Sequence, residues 1–351
     1  MNISENNTNE IEIKNDVSTW KGLSQASDHP FLSIEWLEPG LCENKSTRVL
    51  TGLRNKEPVW ALPYIQTFLG QCLLLGGYVS SEQAFITLNS ETVSAKTVAD
   101  ALTNFLNKKF LKPVVAMDCI IDEDPVASEL AISLVASGWK KMEIPGKKSP
   151  YVVITGTFDD YFINVKRSVR KEYQRRTRKL ASDYQIQHEI IASPKDFDDW
   201  LDEIIRVEKS SWKKAYGLFS RRNLKTSVAR FRSLAALDKL RVFLLIANKK
   251  LIAYDIEFVS GRILWSFNTA FDPGFRKYGP GIDLQLEAIH YAFDHHLDRV
   301  ELLGDNQPYK QSWSHDSHIR STVYLFPPGF TSLLGPFILR TAKRIKGIGK
   351  K

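Results

Sequence analysis

The amino-acid sequence predicts an α+β fold with two domains, each a mixed, mostly antiparallel sheet flanked by helices. The chain has 351 residues, and single domains contain roughly 100 to 200. Its 43% hydrophobic and 25% charged residues are typical of folded proteins and argue against a disordered chain. The two halves also share a rough order of strand meander, helix, strand and helix, which leaves a distant duplication open.

The N-terminal domain is predicted over residues 19–155, after a disordered tail over residues 1–18. Alternating apolar residues predict strands, and apolar residues at helical spacing predict helices. The predicted strands are 47–53, 58–65, 71–75 and 114–119, and the predicted helices are 94–109 and 124–137. Ser94 is the expected N-cap of the first helix, because its hydroxyl can accept a hydrogen bond from a first-turn amide.

The C-terminal domain is predicted over residues 156–328. Asp159 and Asp160 favour a helix start, because the N-terminus of a helix is electropositive. The same patterns predict helices over 161–182, 194–215, 223–236 and 282–296, and strands over 184–191, 240–247, 251–259, 263–270, 299–303 and 319–326.

Positive charge is concentrated in two segments. The formal net charge is +8, yet residues 164–182 hold eight Lys or Arg against one Glu, and residues 336–351 hold six and no acid. The rest of the chain is slightly acidic, which argues against a nucleic-acid footprint over the whole protein. Two separate basic patches are predicted instead.

Several features predict a cytoplasmic protein without a metal. Three cysteines and no Cys-x-x-Cys pair favour neither a disulfide framework nor a cysteine zinc site. The N-terminus lacks the basic start and apolar run of a secretory signal. The uncharged stretch from Leu325 to Leu339 has 15 residues with three prolines, whereas a membrane span needs about 18 to 20 apolar residues in a row. His315 and His318, with one acid between them, fall short of a metal-ligand set.

The C-terminal segment 329–351 is predicted to form a basic amphipathic helix. Its apolar residues alternate with Lys and Arg, and it contains no acid. Such a helix suits an anionic membrane surface and suits docking on the protein equally. Peripheral contact with the inner face of the membrane is therefore one of two open alternatives.

A glycine-containing loop is the most informative segment. It runs from Arg276 to Gly281, between a strand ending near Ala270 and a helix starting near Ile282. Its glycines let the backbone turn and approach a ligand, and the helix start adds unpaired amides and partial positive charge. The loop predicts an anion cradle, with donors from the amides of Gly279, Gly281, Ile282 and Asp283 and support from Arg276 and Lys277. The alternative is a helix-entry loop that needs glycine only for its turn.

Two carboxylates on one predicted strand are candidates for a general base. Asp255 and Glu257 alternate along the strand, so their side chains point to the same face. A carboxylate there could receive a proton from a substrate. The alternative is a solvated strand face, with Tyr254 and Ile256 directed inward.

The order of elements together with the loop resembles the GNAT acyltransferase superfamily. Its pyrophosphate loop has the pattern Gln/Arg-x-x-Gly-x-Gly/Ala, which Arg276, Gly279 and Gly281 match. More narrowly, three segments look like the BioF2-like acetyltransferase domain, also described as CelD/BcsL after cellulose biosynthesis and related to the Fem-type peptidyltransferases. These segments are 161–179, 271–281 and 304–313. The resemblance covers roughly residues 155–326, and a His29-Pro30-Phe31 to Trp36 entry is similar to the family's N-terminal domain.

This resemblance implies two GNAT-like domains and a donor site in the second. The donor would be acetyl-CoA or a longer acyl-CoA, with Gly279, Gly281 and Ile282 on its diphosphate and Arg276 and Lys277 in support. A splay between the fourth and fifth strands would admit the thioester. A strand N–H would polarise the thioester carbonyl. The loop from Asp305 to Lys310 would lie beside the thioester or the acceptor, where Tyr309 could protonate the leaving thiolate and Lys310 could hold an anionic group.

The resemblance further implies an amine or hydroxyl acceptor, such as a sugar or an envelope precursor, and a role in polysaccharide or cell-envelope biosynthesis. Two alternatives stay open. A Fem-like enzyme would use aminoacyl-tRNA, which the basic helix 161–182 could bind. A non-catalytic GNAT-like protein would bind acceptor or partner without turnover.

Overall fold

The computed structural model describes residues 11–14, 23, 29–43, 47–67, 72–76, 85–89, 91–109, 112–119, 123–213, 217–304, 307–314 and 316–329. The chain divides into two compact units. The first comprises Met1–Ser27, Phe31–Lys147 and Ile319–Lys351, and the second comprises Asp28–Pro30 and Lys148–His318. Among the described residues, no helix combines the length and the apolarity that crossing a membrane requires.

Within its described residues, the first unit contains a mixed sheet and three helices. Its strands are β1 (Glu12–Lys14), β2 (Thr47–Arg54), β3 (Glu57–Thr67), β4 (Cys72–Gly76), β5 (Thr87–Leu88) and β6 (Val114–Cys119). Its helices are α1 (Ile34–Glu43), α2 (Ala95–Lys108) and α3 (Pro125–Ala136). Strand β7 (Lys140–Val153) begins in this unit, and the last strand, β13 (Asp316–Phe326), ends in it. The pairing order is β1-β2-β3-β4-β6-β13, with β4 and β6 parallel and the other pairs antiparallel.

Helices α2 and α3 cover one face of this sheet through a shared apolar core. Leu102 of α2 and Leu130 of α3 are buried in the same cluster as Trp60 of β3. Both helices start at capping side chains, since Ser94, the predicted cap, and Asp124 accept hydrogen bonds from first-turn amides. The sequence pattern therefore predicted this layer correctly.

The second unit contains a six-stranded sheet and six helices among its described residues. Its strands are the end of β7, β8 (Ile186–Ile191), β9 (Leu240–Ala247), β10 (Lys250–Ser260), β11 (Ile263–Phe271) and β12 (Arg299–Glu301). Its helices are α4 (Phe158–Asn164), α5 (Arg167–Asp183), α6 (Pro194–Ser210), α7 (Leu224–Ala236), α8 (Pro280–Asp294) and α9 (Pro308–Gln311). The order is β7-β12-β11-β10-β9-β8, and only the β11–β12 pair is parallel in this sheet. Both units thus have the predicted mixed, mostly antiparallel sheets.

Helices cover both faces of the second sheet. On one face, Leu284 and Ile289 of α8 and Leu180 of α5 pack with Leu264 of β11. On the other face, α6 and α7 contribute Phe197 and Phe231, which pack edge to face at 5.7 Å. This second layer leaves β10 without a solvated face.

The prediction of one basic helix over 161–182 is wrong in one respect, because the structure has two helices there. Helix α4 ends at Asn164, and Val165 adopts extended backbone with ψ 143° before α5 begins. Val165 is buried, so the break places its side chain in the core. Its carbonyl accepts a hydrogen bond from Nε of Arg170 at 2.9 Å, which holds the corner between the helices.

Two further differences concern strands that the sequence did not predict. Strand β7 was missed because Pro145, Gly146 and Pro150 interrupt its apolar pattern, and such residues are uncommon inside strands. Strand β1 contradicts the disordered tail at Glu12–Lys14, which pair antiparallel with β2. The rest of residues 1–18, apart from Ile11, lies outside the described residues.

The predicted extent 156–328 of the second domain also differs from the structure at its end. Residues from Ile319 belong to the first unit, because β13 pairs with β6 from Ser321 to Leu325. The predicted C-terminal helix 329–351 lies outside the described residues except for Gly329.

Candidate active site

The glycine loop lies at the end of β11 and leads directly into α8. A 3-10 helix, Pro273–Tyr278, fills most of the loop, and the Asp272 carboxylate caps it by accepting a hydrogen bond from the Gly274 amide at 3.0 Å. Gly279 then adopts the left-handed conformation with φ 67°, and Pro280 is the first residue of α8. The loop therefore turns the chain through the one residue type that tolerates this backbone at little cost.

The expected row of four free amides is reduced to one. Gly279 donates its N–H to the Arg276 carbonyl at 3.1 Å, and the amides of Ile282 and Asp283 both donate to the Gly279 carbonyl, at 3.0 and 3.2 Å. The reason is that α8 starts at Pro280, two residues earlier than predicted, so these amides belong to its first turn. Among the described residues, only the Gly281 N–H of the four has no backbone acceptor.

Positive side chains supply what the amides do not. A Cβ placed on Gly279 would be 3.1 Å from Nη1 of Arg176, so the Arg176 guanidinium lies directly against this glycine. A Cβ on Gly281 would be 3.5 Å from the Thr269 methyl group, which is an ordinary contact. The loop thus has a built cationic wall that an anionic diphosphate would fit.

A cavity of about 670 Å³ opens beside this loop. It forms because β11 and β12 pair only from Ile263 to Trp265, and β11 then continues to Phe271 paired with β10 alone. The expected splay between these strands is therefore present. The cavity is lined by Arg176, Trp212, Lys213, Ser266, Phe267, Thr269, Phe271, Arg276, Gly279, Gly281, Ile282, Gln285, Leu302, Gln307, Tyr309 and Lys310.

The lining contains most of the residues that the sequence singled out and adds two cations, Arg176 and Lys213. Arg276, Gly279, Gly281 and Ile282 all line the cavity, as do Tyr309 and Lys310. Lys277 does not, because its ammonium lies over the Tyr278 ring at 4.8 Å. The described lining contains Arg176, Lys213, Arg276 and Lys310 and no carboxylate. Its charge favours an anionic ligand.

Asp255 and Glu257 are both fully buried, so the solvated strand face is excluded. Burial raises the pKa of Asp255 to about 6 and raises the pKa of Glu257 well above its usual range, and the neighbouring Asp255 charge raises it further. Oδ2 of Asp255 and both Glu257 oxygens have no hydrogen-bond donor among the described residues. A proton on Glu257 donated to Asp255 would satisfy this pair, leaving Asp255 as the carboxylate that ionises.

Asp255 does not line the cavity but lies behind several of its lining residues. The Thr269 hydroxyl donates to Oδ1 of Asp255 at 2.6 Å. The positive charges of Lys213 and Lys310 lower the pKa of Asp255 against the effect of burial. Burial raises the pKa of Tyr309 to about 12, with a smaller contribution from Asp255. Asp255 is thus near both cations and near the predicted proton donor.

Lys310 is anchored at the end of β12. Its ammonium donates to the carbonyls of Leu302 at 2.7 Å and Leu303 at 2.6 Å. Tyr309, beside it on α9, remains half exposed at the cavity wall. Asp305, the other acidic candidate of this loop, lies outside the described residues.

Sequence reasoning missed the network that supports the cavity from behind. The Glu208 carboxylate accepts hydrogen bonds from the amides of Leu218 and Phe219, from the Tyr254 hydroxyl at 3.0 Å and from Asn268 at 3.4 Å. Asn268 in turn accepts a hydrogen bond from the Lys213 ammonium. The signal was present as polar residues in an otherwise apolar strand and an acid within an amphipathic helix.

A second buried contact fixes the first turn of α8. Oδ2 of Asp283 lies 2.7 Å from Nε2 of His188 on β8, and this hydrogen bond raises the pKa of the histidine. The Thr177 hydroxyl of α5 lies 3.5 Å from Oδ1 of the same carboxylate. Asp283 therefore ties the start of α8 to β8 and α5 rather than serving the cradle as predicted.

Two histidine-containing segments lie away from the cavity. His290 stacks on Phe158 at 4.1 Å and lines a different cavity of about 430 Å³ with Tyr291 and His295. His318 is buried beside Glu301, with 2.9 Å between Nε2 and Oε1. The part of the chain that the structure describes contains no group of three metal-ligating side chains, and His315 lies outside it.

This sheet, opened between β11 and β12 beside a glycine loop and a helix start, has the arrangement of the GNAT fold. Residues 167–311 match the family model described as an acetyltransferase (GNAT) domain. A comparison with curated proteins finds no match.

Solved structures are similar over nearly the whole chain. FemX is 13% identical, with 90% of this chain and 97% of FemX covered and a TM-score of 0.56. L-PGS from Bacillus licheniformis is 8% identical, with 95% and 99% covered and a TM-score of 0.55. A conserved protein of unknown function from Bacteroides thetaiotaomicron is 12% identical, with 90% and 100% covered and a TM-score of 0.56. At these identities the likeness establishes the fold.

Proposed function

We propose that the protein transfers an acyl group from an acyl-CoA to an amine or hydroxyl acceptor in the cavity of the second unit. The observation that carries this proposal is that the Arg176 and Arg276 cations and the opening between β11 and β12 meet in one cavity, with the buried Asp255 directly behind its wall at Thr269. No single one of these features defines an acyl-transfer site. Together they provide a place for the donor's phosphates, a route for its thioester and a proton acceptor.

Each side chain has a part in this reaction that follows from its position. Arg176 and Arg276 bind the CoA diphosphate against the wall formed by Gly279. Asp255 accepts the proton of the acceptor as its nitrogen or oxygen attacks the thioester carbonyl. The carbon–sulfur bond then breaks, and Tyr309, whose raised pKa keeps it protonated, donates its proton to the leaving thiolate. Lys310 stabilises the negative charge that develops nearby.

A second cavity makes the donor site longer than the first cavity alone. It has a volume of about 360 Å³ and shares Arg176, Gly279, Ile282 and Tyr309 with the first. Its other walls include the apolar side chains of Val169, Tyr173, Pro308 and Trp313. Both volumes lie in the range of small-molecule sites, roughly 300 to 1,000 Å³. Two adjacent cavities, one with cationic and one with apolar walls, suit an extended donor that carries phosphate at one end and apolar groups at the other.

The experiment that tests the donor is a thermal-shift and calorimetric titration of the full chain with CoA, acetyl-CoA and a longer acyl-CoA, with bulk tRNA in parallel. A ligand present at 100 times its dissociation constant stabilises the folded state by about 2.7 kcal/mol, which moves the midpoint by several degrees. Stabilisation by CoA species is expected. Stabilisation by tRNA without any response to CoA would overturn the CoA proposal.

A Fem-like transfer from aminoacyl-tRNA is a second candidate because of the exposed face of α5. Arg167, Lys171, Arg178 and Lys179 are exposed there without a described ion-pair partner. Binding of tRNA through this face would weaken steeply with salt and would be lost when these residues are neutralised. The FemX likeness supports the fold of this candidate and not its donor.

The acceptor class of a sugar or cell-envelope precursor rests on the resemblance of the sequence to the CelD-type family. A panel of amino sugars, sugar nucleotides and amino acids, assayed by release of free CoA thiol, tests it. Thiol release above the rate without acceptor identifies the acceptor. Turnover with none of the envelope precursors but with another amine would replace this part of the proposal.

A further inference from the structure

Lys213 is a nearly buried cation in the wall of the cavity. It follows α6 and stands beside Trp212, whose ring centroid is 5.5 Å from its ammonium. Burial lowers the pKa of this lysine. Charged groups are costly to bury unless a partner compensates them. Lys213 therefore needs a compensating group when its ammonium is protonated.

The protein itself supplies only part of that compensation. Among the described residues, Asn268 is the one recorded hydrogen-bond acceptor of the Lys213 ammonium, which has three donors. No described carboxylate lies within ion-pair distance of it. Glu208, the nearby acid, already accepts four hydrogen bonds from other groups. A lysine in this setting has donors left for a ligand.

A second ammonium and a carboxyl group lie close enough to influence Lys213. The charge of Lys310 lowers the pKa of Lys213, whereas the charges of Glu208 and Asp255 raise it. Lys310 and Lys213 both line the cavity, and Asp255 is buried behind them. This end of the cavity therefore has two cations in its wall and a proton acceptor directly behind them. The other two cations of the cavity, Arg176 and Arg276, lie at the glycine loop around Gly279.

We propose that Lys213 binds a carboxylate or phosphate group of the acceptor and thereby directs the acceptor's amine or hydroxyl toward Asp255. This inference rests on the proposed function, because it assigns a substrate class to the same cavity. The acceptor is a small amine or alcohol that carries an anionic group near its nucleophile. Asn268, held by Tyr254 and Glu208, positions the lysine for this contact.

The test uses two anionic probes and a matched lysine. Acetate and inorganic phosphate are titrated into the full chain at constant ionic strength, with CoA saturating so that the donor's phosphate site is filled. The variants are Lys213→Gln, Lys213→Arg and Lys209→Gln. Lys209 lies in the last turn of α6 and is exposed, so its replacement removes the same charge four residues away. The readouts are the thermal midpoint and the calorimetric dissociation constant.

The expected result is saturable binding of one probe by the wild type and by Lys209→Gln, at least fivefold weaker binding by Lys213→Gln, and recovery in Lys213→Arg. Acetate and phosphate distinguish the two sources of the anion. Equal binding by the wild type and Lys213→Gln would overturn the proposal, and so would the absence of binding to both probes.

A CoA titration of the same variants separates this proposal from the proposed function. Lys213→Gln is expected to bind CoA within twofold of the wild type. A tenfold loss of CoA affinity in Lys213→Gln but not in Lys209→Gln would assign the lysine to the donor and overturn its role with the acceptor. If the wild type does not bind CoA at all, the proposed function fails, and the probe titrations repeated without CoA still report on Lys213.

Discussion

The guanidinium of Arg176 occupies the space that a side chain on Gly279 would need. Gly279 has φ 67°, and a Cβ there would stand 3.1 Å from Nη1 and 3.3 Å from Cδ of Arg176. A larger residue at position 279 would therefore require the Arg176 side chain to shift, in addition to adopting the left-handed backbone. Because of this contact, Gly279 and Gly281 should respond differently to substitution.

We therefore predict that Gly279→Ala weakens CoA binding at least tenfold, whereas Gly281→Ala changes it less than twofold. Alanine at position 279 would adopt a left-handed backbone that costs about 1 to 2 kcal/mol and would displace Arg176. Alanine at position 281 would meet Thr269 at 3.5 Å, an ordinary contact, inside a helix that it favours. Calorimetric titration with CoA measures both. Similar affinities for the two variants would show that this glycine wall does not bind the donor.

Arg176→Gln is predicted to weaken CoA binding at least tenfold, and Arg175→Gln to leave it unchanged. Both arginines contact Glu172, at 2.7 Å from Arg176 and 2.9 Å from Arg175, and together they lower the pKa of that acid to about 2. Only Arg176 lines the cavity. The pair therefore separates loss of a surface ion pair from loss of a ligand contact. Titrations at two salt concentrations check the prediction, and an equal effect of the two replacements would count against it.

Asp255→Asn is predicted to lower the rate of acyl transfer roughly 10²- to 10⁴-fold while CoA binds normally, since loss of a general base has effects of this size. Burial raises the pKa of Asp255 to about 6, so kcat/KM of the wild type should rise with pH through this value as the carboxyl group loses its proton. The midpoint belongs to the coupled pair with Glu257. Release of CoA thiol, followed from pH 5 to 8 with the best acceptor of the panel, gives the profile. Retention of more than a tenth of the activity would remove Asp255 from this role.

Glu257→Gln is predicted to flatten the decline of stability with pH. The folded-state pKa of Glu257 lies well above its usual value of 4.5, because burial disfavours the charged form. Above about pH 4.5 the folded state therefore binds a proton that the unfolded state has released, and stability falls by about 1.4 kcal/mol per pH unit until the folded-state pKa is reached. Glutamine has no proton to lose. Denaturant unfolding of both proteins from pH 5 to 8 measures the slopes, which should differ over this window.

Much of the fold could be predicted because local patterns agree with the final packing. Strands β6 and β9 have the predicted bounds, and α2 starts at the predicted cap. Strand β7 escaped prediction because its pairing partners are distant in sequence and its prolines suppress the local signal. The break at Val165 also has no local cause, since burial of that side chain in the assembled core decides it.

The candidate site likewise contains residues that local sequence patterns predicted and residues that they did not. The glycine loop, Asp255 and the Tyr309 to Lys310 segment carry recognisable local chemistry, and the structure places the loop and Tyr309 to Lys310 in one cavity with Asp255 behind its wall. Arg176 and Lys213 do not stand out from neighbouring basic residues in sequence, and only tertiary packing selects them. The prediction that the amides of Ile282 and Asp283 are free is wrong. The sequence placed the start of α8 two residues too late, and both amides are hydrogen-bonded in its first turn.

The return of β13 to the first unit has a consequence for protein synthesis. Strand β6 pairs with β13 along one edge, yet roughly 200 residues separate them, which a ribosome takes about 10 to 40 s to make at roughly 5 to 20 residues per second. During this interval the residues of the second unit are being made, and the first unit waits with an unpaired edge on β6. Open edges recruit other strands. The nascent chain therefore passes through a stage at which the edge of β6 is open to pairing with other strands.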